Sequence, residues 1–429
     1  MNITTQLDVN LIALDTDDEV TVMLDLEAPP LAADLVRPAA SLQVVLDRSG
    51  SMSGAPLEGA KDALIALVRR LAPTDNFGLV TFDNEAQVVV PAGPLTDKES
   101  VIAKIRQVAS GGSTDLGAGL LRGLREIKRV ATAGGTLLVV SDGHINAGIR
   151  DAGELSGVAA RAYGDGIVIS TLGYGEHYDE TLLAALAKAG AGNHVFASNP
   201  DDAGAEISRE VTGLLTKALQ AMTLTVELEP SVKMVRLYND LPAAALPGGR
   251  IMIEIGDLYA DEKRRLLLKL KVPGKSTLGP AKVATLALEY IELPALIEHV
   301  AKLPIAVNVV PGSEAAERLS NPIVVSETLF QEAQECKKLA SEAFENDHVS
   351  PARDHLARAK SHLVSALSTA PASSSDDIRR EIATVEQMIH MADRQSTRYM
   401  SKLSRSSYHE MNRKRGRSEE PNVEDAGTH

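Results

Sequence analysis

The chain has 429 residues and a formal net charge of −14, with 44% hydrophobic and only 3% aromatic residues. That length suggests roughly two to four domains, with cores built from Leu, Ile, Val and Ala. The acidic balance argues against nucleic acid and anionic lipid as ligands, and the scarcity of rings argues against base-stacking or carbohydrate platforms. The single cysteine, Cys336, excludes an internal disulfide and a cysteine-built zinc site. The first twenty residues lack a basic region followed by an apolar run, and no apolar stretch is long enough to span a membrane. The expected location is therefore the cytoplasm.

In chain order, Asp18 to Leu26 alternates as a strand should, and Pro29 to Pro38 reads as a loop. Leu42 to Leu46 is a short apolar run broken only by Gln43, the pattern of a strand buried on both faces of a parallel sheet. A helical pattern follows from Pro56 to Leu71, and the alternation then repeats. Strand-like runs are Phe77–Phe82, Thr136–Ser141, Ile167–Leu172 and His194–Ala197, with Ala86–Val90 as an antiparallel edge. Helix-like runs are Lys98–Val108, Gly117–Val130, Ala152–Tyr163, Glu180–Lys188 and Ala203–Leu219. Strands alternating with helices predict an α/β doubly wound, mostly parallel sheet over residues 41–220.

After Ala221 the period changes to two. Leu224–Leu228, Met234–Leu237, Arg250–Ile255, Arg265–Val272, Ala281–Tyr290 and Ile305–Val309 alternate between Pro and Gly turns, as in an antiparallel β-sandwich. The strand near the N-terminus has no place in the α/β unit and is expected to join this sandwich. Residues 1–40 and 221–312 then form one β domain with the α/β domain inserted. Helical periodicity covers 320–401, as Val325–Glu345, Pro351–Leu367 and Asp376–Ser401. The polar stretch 402–429 is expected to be a disordered tail whose deletion leaves stability nearly unchanged.

The chemistry concentrates in three loops. Asp47-Arg48-Ser49-Gly50-Ser51 follows the first strand of the α/β unit, at the carboxyl end where such sheets bind ligands. One carboxylate and two hydroxyls aimed at a point are hard oxygen donors, suited to Mg²⁺ and alternatively to Mn²⁺ or Ca²⁺. Gly111-Gly112-Ser113-Thr114-Asp115 precedes a helix and Ser141-Asp142-Gly143 closes a strand at the same end, so Thr114 and Asp142 can add a hydroxyl and a second carboxylate. The competing reading of Asp47 and its serines is a helix cap or Asx-turn.

These loops resemble the metal-ion-dependent adhesion site of von Willebrand factor A domains, seen also in integrin inserted domains. The resemblance covers roughly residues 41–220. It implies a Rossmann-like fold in which Asp47, Ser49, Ser51, Thr114 and Asp142 hold the cation, and a protein partner presenting Asp or Glu at its open position. A weaker resemblance, from Leu26-Glu27-Ala28-Pro29-Pro30 through to Val307-Asn308-Val309-Val310-Pro311-Gly312, is to inter-alpha-trypsin-inhibitor heavy-chain-like proteins and the plant WAV3-type group. The RING zinc finger of some plant members is absent, as are its cysteines.

The function expected is a metal-dependent protein–protein interaction module rather than an enzyme. One alternative is a metal-dependent hydrolase, which needs a general base these loops do not offer. Another is an assembly subunit for a separate, chelatase-type ATPase. The C-terminal helices could serve oligomerisation or a second docking surface. Arg48 is expected to be solvated, Asp115 to be a helix N-terminal charge, and His144 to lie at the rim of the site. Asp15, Asp17 and Asp18 lack the remaining elements of a calcium loop and read as a solvated turn. Gly274-Lys275-Ser276 lacks the first glycine of a phosphate loop and reads as a hairpin turn, and Cys336 reads as a packed small hydrophobe.

Overall fold

A computed structural model describes residues 1–30, 39–132, 134–143, 145–175, 178–197, 216–293 and 295–413. The chain opens with β1 (Asn2–Leu7), β2 (Leu11–Ala13) and β3 (Asp18–Glu27). It continues through β4 (Ser41–Asp47), α1 (Ala55–Arg70), β5 (Asn76–Phe82), β6 (Ala86–Pro94), α2 (Lys98–Arg106), α3 (Leu116–Ile127) and β7 (Gly135–Ser141). Then come α4 (Ala152–Gly164), β8 (Ile167–Tyr174), α5 (Glu180–Ala189) and β9 (Ala191–Ala197). These strands form one sheet in the order β6-β5-β4-β7-β8-β9, all parallel except β6.

Every residue of β4 is buried, because helices cover both faces of the sheet. Val44, Leu46 and Leu79 pack with Leu57, Leu64 and Val68 of α1 and Ile102 and Ile105 of α2 on one side. Val45, Val80 and Val139 pack with Leu120 of α3, Leu155 of α4 and Leu186 of α5 on the other. With both faces dry, a strand reads as a largely apolar run, and the one polar residue in the middle of β4, Gln43, is buried with its amide donating to the Val44 carbonyl at 3.0 Å. The chain leaves β4 for β5 on one side and later returns to β7 on the other. The crevice at this switch point lies beyond the carboxyl ends of β4 and β7.

A second set of strands follows: β10 (Lys217–Leu228), β11 (Lys233–Leu237), β12 (Ala243–Leu246), β13 (Arg250–Tyr259), β14 (Lys263–Val272), β15 (Gly279–Glu292) and β16 (Ile297–Val310). They make two sheets, β1-β3-β14-β11 and β12-β13-β10-β15-β16-β2, antiparallel except where β2 joins β16. Alternate residues such as Val22, Leu24 and Leu26 of β3 and Leu266, Leu268 and Leu270 of β14 fill the space between the sheets with Leu224, Val226 and Leu286. β3 pairs with β14 along its whole length, from Asp18 opposite Val272 to Glu27 opposite Lys263. The α/β domain is thus inserted between β3 and β10 of an antiparallel sandwich.

After a short helical turn at Gly312–Ala316, the chain ends in α6 (Pro322–Glu345), α7 (Val349–Thr369), α8 (Ala372–Met391) and α9 (Thr397–Arg413). Their shared core includes Phe330, Phe344, Leu356, Leu363, Val385 and Met388, with Cys336 packed among them. No helix among the described residues is long and apolar enough to cross a membrane.

Several sequence expectations are corrected. The helical run Ala203–Leu219 lies largely outside the described residues, but its end belongs to β10. Leu219 sits opposite Leu258 on one side and Glu292 on the other, and pairing on both edges outweighs the helical propensity of Lys217, Ala218 and Leu219. Gly274-Lys275-Ser276 is not a hairpin, because β14 and β15 lie in different sheets and the segment crosses between them. Asp376–Ser401 is not one helix: α8 ends at Met391, and Ser396 caps α9 by accepting the Tyr399 N–H at 3.0 Å. Strands β1, β2 and β12 were not foreseen. Asp15 and Asp17 are exposed at the turn as expected, whereas Asp18 starts β3 and pairs with Arg318.

The tail is the largest correction. Residues 402–413 are helical, and Ser404, Tyr408 and Asn412 are buried. Lys402 lies 3.6 Å above the Tyr178 ring and donates to the Tyr178 carbonyl at 3.0 Å. Arg405 bonds Glu345 at 2.8 Å and faces Glu180 at 3.6 Å. Burial pushes the Glu180 carboxyl up and the Lys402 ammonium down, while Arg405 and Lys402 pull Glu180 back toward ionisation. The sequence looks like a tail because its partners, Glu180, Tyr178 and Glu345, sit on other elements. Residues 414–429 lie outside the described residues. Deleting 402–429 strands Glu180 without its cations and exposes the faces that α9 covers. Chemical denaturation should show a loss of about 2–3 kcal/mol, and an unchanged midpoint would mean that α9 does not pack.

Candidate metal centre

Asp47 is the last residue of β4, fully buried at the sheet's carboxyl edge. Its Oδ1 accepts the Ser49 N–H at 2.8 Å and its Oδ2 accepts the Ser141 hydroxyl at 2.6 Å. The first bond is the Asx-turn of the competing reading, and it fixes the start of the loop. Ser49 Oγ lies 3.1 Å from Ser51 Oγ, which donates to Asp142 Oδ1 at 2.7 Å. A Cβ placed on Gly143 would lie 3.3 Å from the hydroxyls of Ser51 and Thr114 and 3.9 Å from that of Ser49. Three hydroxyls from two loops therefore surround one point beside Gly143. All five sequence-predicted residues come together here.

The loops are tied to one another through backbone. Gly50 donates to Gly112 O at 3.1 Å, and Gly111 donates to Arg48 O at 2.7 Å. Gly112 has φ of +70°, and a Cβ there would come within 2.8 Å of the Asp83 side chain, so glycine alone fits. Thr114 is fixed by Asn146, whose Oδ1 accepts the Thr114 N–H at 2.8 Å. Asp115 caps α3 by accepting the Ala118 N–H at 2.9 Å, a structural role as expected. Arg48 is not simply solvated: it pairs with Asp83 at 2.9 Å.

Burial raises the Asp47 carboxyl above its usual range, with Ser141 and Ser49 partly offsetting this. Among the described residues no Lys or Arg pairs with Asp47. The donor set of two carboxylates and three hydroxyls is hard oxygen throughout, and a buried carboxylate in this setting fits an oxygen-preferring divalent cation. No group of three or more His, Cys, Asp or Glu side chains gathers among the described residues. Ser141 and Asn146 are contributors that the sequence did not single out. Ser141 stood beside Asp142 in the motif, whereas nothing local marks Asn146. His144 lies outside the described residues.

A doubly wound sheet with three oxygen-bearing loops at its switch point defines a class, and comparison with known proteins agrees. Residues 42–209 match the von Willebrand factor type A domain family, and the chain contains such a domain. It is similar to an uncharacterized protein of Synechocystis sp., 27% identical over 57% of this chain and 60% of that one. It is also similar to the uncharacterized protein YfbK of Escherichia coli, 27% identical over 56% of this chain and 43% of that one. A more distant relative is inter-alpha-trypsin inhibitor heavy chain H1 of Mesocricetus auratus, 24% identical over 46% of this chain and 22% of that protein. The chain thus spans less than two thirds of the length of these relatives.

Among solved structures, a von Willebrand factor type A protein from Catenulispora acidiphila aligns with a TM-score of 0.71 at 14% identity, covering 90% of this chain and 89% of that one. The ArnB paralog VWA2 from Sulfolobus acidocaldarius aligns with a TM-score of 0.61 at 14% identity, covering 96% and 97%. At these identities the match concerns the fold alone.

Proposed function

We propose that this protein is a binding module that holds a divalent cation at Asp47, Ser49, Ser51, Thr114 and Asp142 and through it takes an Asp or Glu side chain of a protein partner. The observation that carries this reading is the convergence of three hydroxyls beside Gly143, flanked by the buried carboxylate of Asp47 and by Asp142. The cation, when bound, supplies positive charge to which an acidic side chain can add. The chain's own residues do the rest. Ser141 and the Ser49 N–H fix the Asp47 carboxylate, Asn146 fixes Thr114, and Ser51 fixes Asp142. Mg²⁺, Mn²⁺ and Ca²⁺ all suit such donors. We also propose binding in place of turnover, because the carboxylates described here are engaged by hydroxyls and none stands free as a general base.

Metal removal tests this reading. Immobilised protein should retain a defined set of proteins from a cell extract in millimolar Mg²⁺, lose it in a chelator, and regain it when Mg²⁺ is restored. Mass spectrometry should find the same proteins in both Mg²⁺ steps. Retention that is indifferent to the chelator would place the working surface elsewhere.

A further inference from the structure

β16 is a long strand with one side largely open. β15 pairs with it from Gly279 opposite Val309 to Glu292 opposite Ile297, whereas β2 covers its other side only at Asn308–Val310. Among the described residues nothing pairs with the backbone of 297–306 on that side. Val300 is 62% exposed, Ile297 51% and Leu296 54%, an apolar group at the open edge. A long unpaired edge with exposed apolar side chains is a template for another strand.

The direction of its hydrogen-bonding groups follows from two contacts. Asn308 donates to Asn10 O at 2.8 Å and Val310 O accepts from Leu14 at 2.9 Å, so even-numbered residues face the β2 side. Backbone groups of successive strand residues point to opposite edges. The one register shift between β15 and β16, at Lys282/Ala284, skips a residue of β15 and leaves the alternation of β16 intact. Glu298, Val300, Lys302 and Ala306 therefore turn N–H and C=O to the open edge. Pro304 obeys the same rule, since its missing N–H falls on the edge and not in the ladder with β15.

We propose that this edge pairs with the same edge of a second copy, antiparallel about a two-fold axis at Val300. That register sets Glu298 opposite Lys302 of the other copy, twice, with Val300 against Val300 between them. On the opposite face it sets Ile297 against Leu303. Centring on Glu298 or on Lys302 instead opposes like charges, and centring on His299 or Ala301 leaves both charges without a partner. The paired stretch runs from Ile297 to Leu303, so it ends short of Asn308, where β2 takes over the edge, and Pro304 falls outside it. Opposite charges directly across a strand pair stabilise it and like charges oppose it. The partner is thus a second copy of this chain, and the two sandwiches share one continuous sheet.

Sedimentation velocity over a range of protein concentrations tests the pairing. The unaltered protein should show a monomer–dimer equilibrium. Glu298→Lys and Lys302→Glu should each weaken it about tenfold or more, since each turns two attractive pairs into repulsive ones. Mixing the two single variants should restore a dimer, because each supplies the charges the other lacks, and the double variant carrying both changes should dimerise alone. Both side chains are exposed, so circular dichroism should remain native throughout. A protein that stays monomeric at every concentration, single variants that dimerise like the original, or a mixture that stays monomeric would each overturn the proposal.

Discussion

Asp47→Ala should reduce affinity for Mg²⁺, Mn²⁺ and Ca²⁺ by about 100-fold or more while leaving the fold intact. The metal effect is large because Asp47 is both a charged donor and the anchor of its loop. Its two oxygens hold the Ser49 N–H and the Ser141 hydroxyl, so removing them releases Ser49 as well. Losing even an outer-shell partner of a metal ligand typically costs 10–100-fold, and a charged donor should exceed that range. The effect on stability should be small, about 1–2 kcal/mol. Two hydrogen bonds are lost, but so is a buried carboxylate whose ionised form burial opposes. Ser49→Ala and Ser51→Ala remove neutral donors and should cost about tenfold each. Isothermal calorimetry gives the affinities and far-ultraviolet circular dichroism the fold. Unaltered metal affinity in Asp47→Ala would refute the ligand assignment. Lost metal affinity with retained partner binding would refute the bridge instead.

Lys337→Ala should destabilise the protein by about 3–5 kcal/mol. Lys337 and Glu381 are almost completely buried and bonded to each other across α6 and α8. Lys337 also donates to the Ser407 hydroxyl of α9 at 2.6 Å, and Gln334 donates to Glu381 Oε1 at 3.1 Å. Among the described residues the other Glu381 oxygen has no partner, so Lys337 is the only cation compensating that charge. Removing it leaves a carboxylate in an apolar bundle, where isolated charge is strongly disfavoured. Lys337→Met combined with Glu381→Met should recover most of the loss, because two apolar chains of similar length need no compensation. Urea titration of both variants and their parent measures this. A loss below about 1 kcal/mol for the single change would mean that water reaches the pair.

The inserted domain was legible because its signals are local. Each buried parallel strand is largely apolar, with breaks only at residues such as Gln43 in β4 and Ser170-Thr171 in β8, and Asp47, Ser49 and Ser51 lie within one short loop that had to follow such a strand. Thr114 and Asp142 could be read for the same reason, as oxygen-bearing residues where other loops reach the same edge. The features that escaped are set by distant partners. Asn2–Leu7 becomes a strand only through its register with Leu7 opposite Val22 and Asn2 opposite Glu27. Ala243–Leu246 is an alanine-rich edge held by β13, with little β propensity of its own. The helix Thr397–Arg413 is rich in Ser and Arg, and its polar face is buried against Lys337, Glu180 and Tyr178 rather than solvated. Asn146 fixes Thr114 across the loops, a bond that nothing in the local sequence announces.

The insertion also dictates an order of events when the chain is made. β3 finds its partner β14 only after the whole inserted domain has been synthesised, as the Asp25–Arg265 contact across 240 positions records. At roughly 5–20 residues per second the ribosome takes about 12–50 seconds to cover that distance. Throughout that interval the Val20–Leu26 segment has only β1 to pair with on one edge, and its β14 edge is open to aggregation. The inserted domain, whose contacts are nearer in sequence, can fold meanwhile and draw its two ends together. Closing the sandwich then requires joining short flanks rather than the ends of a long free loop, which lowers the entropy cost. The expected sequence is inserted domain first, sandwich second, with slow refolding phases arising from the β3–β14 ladder.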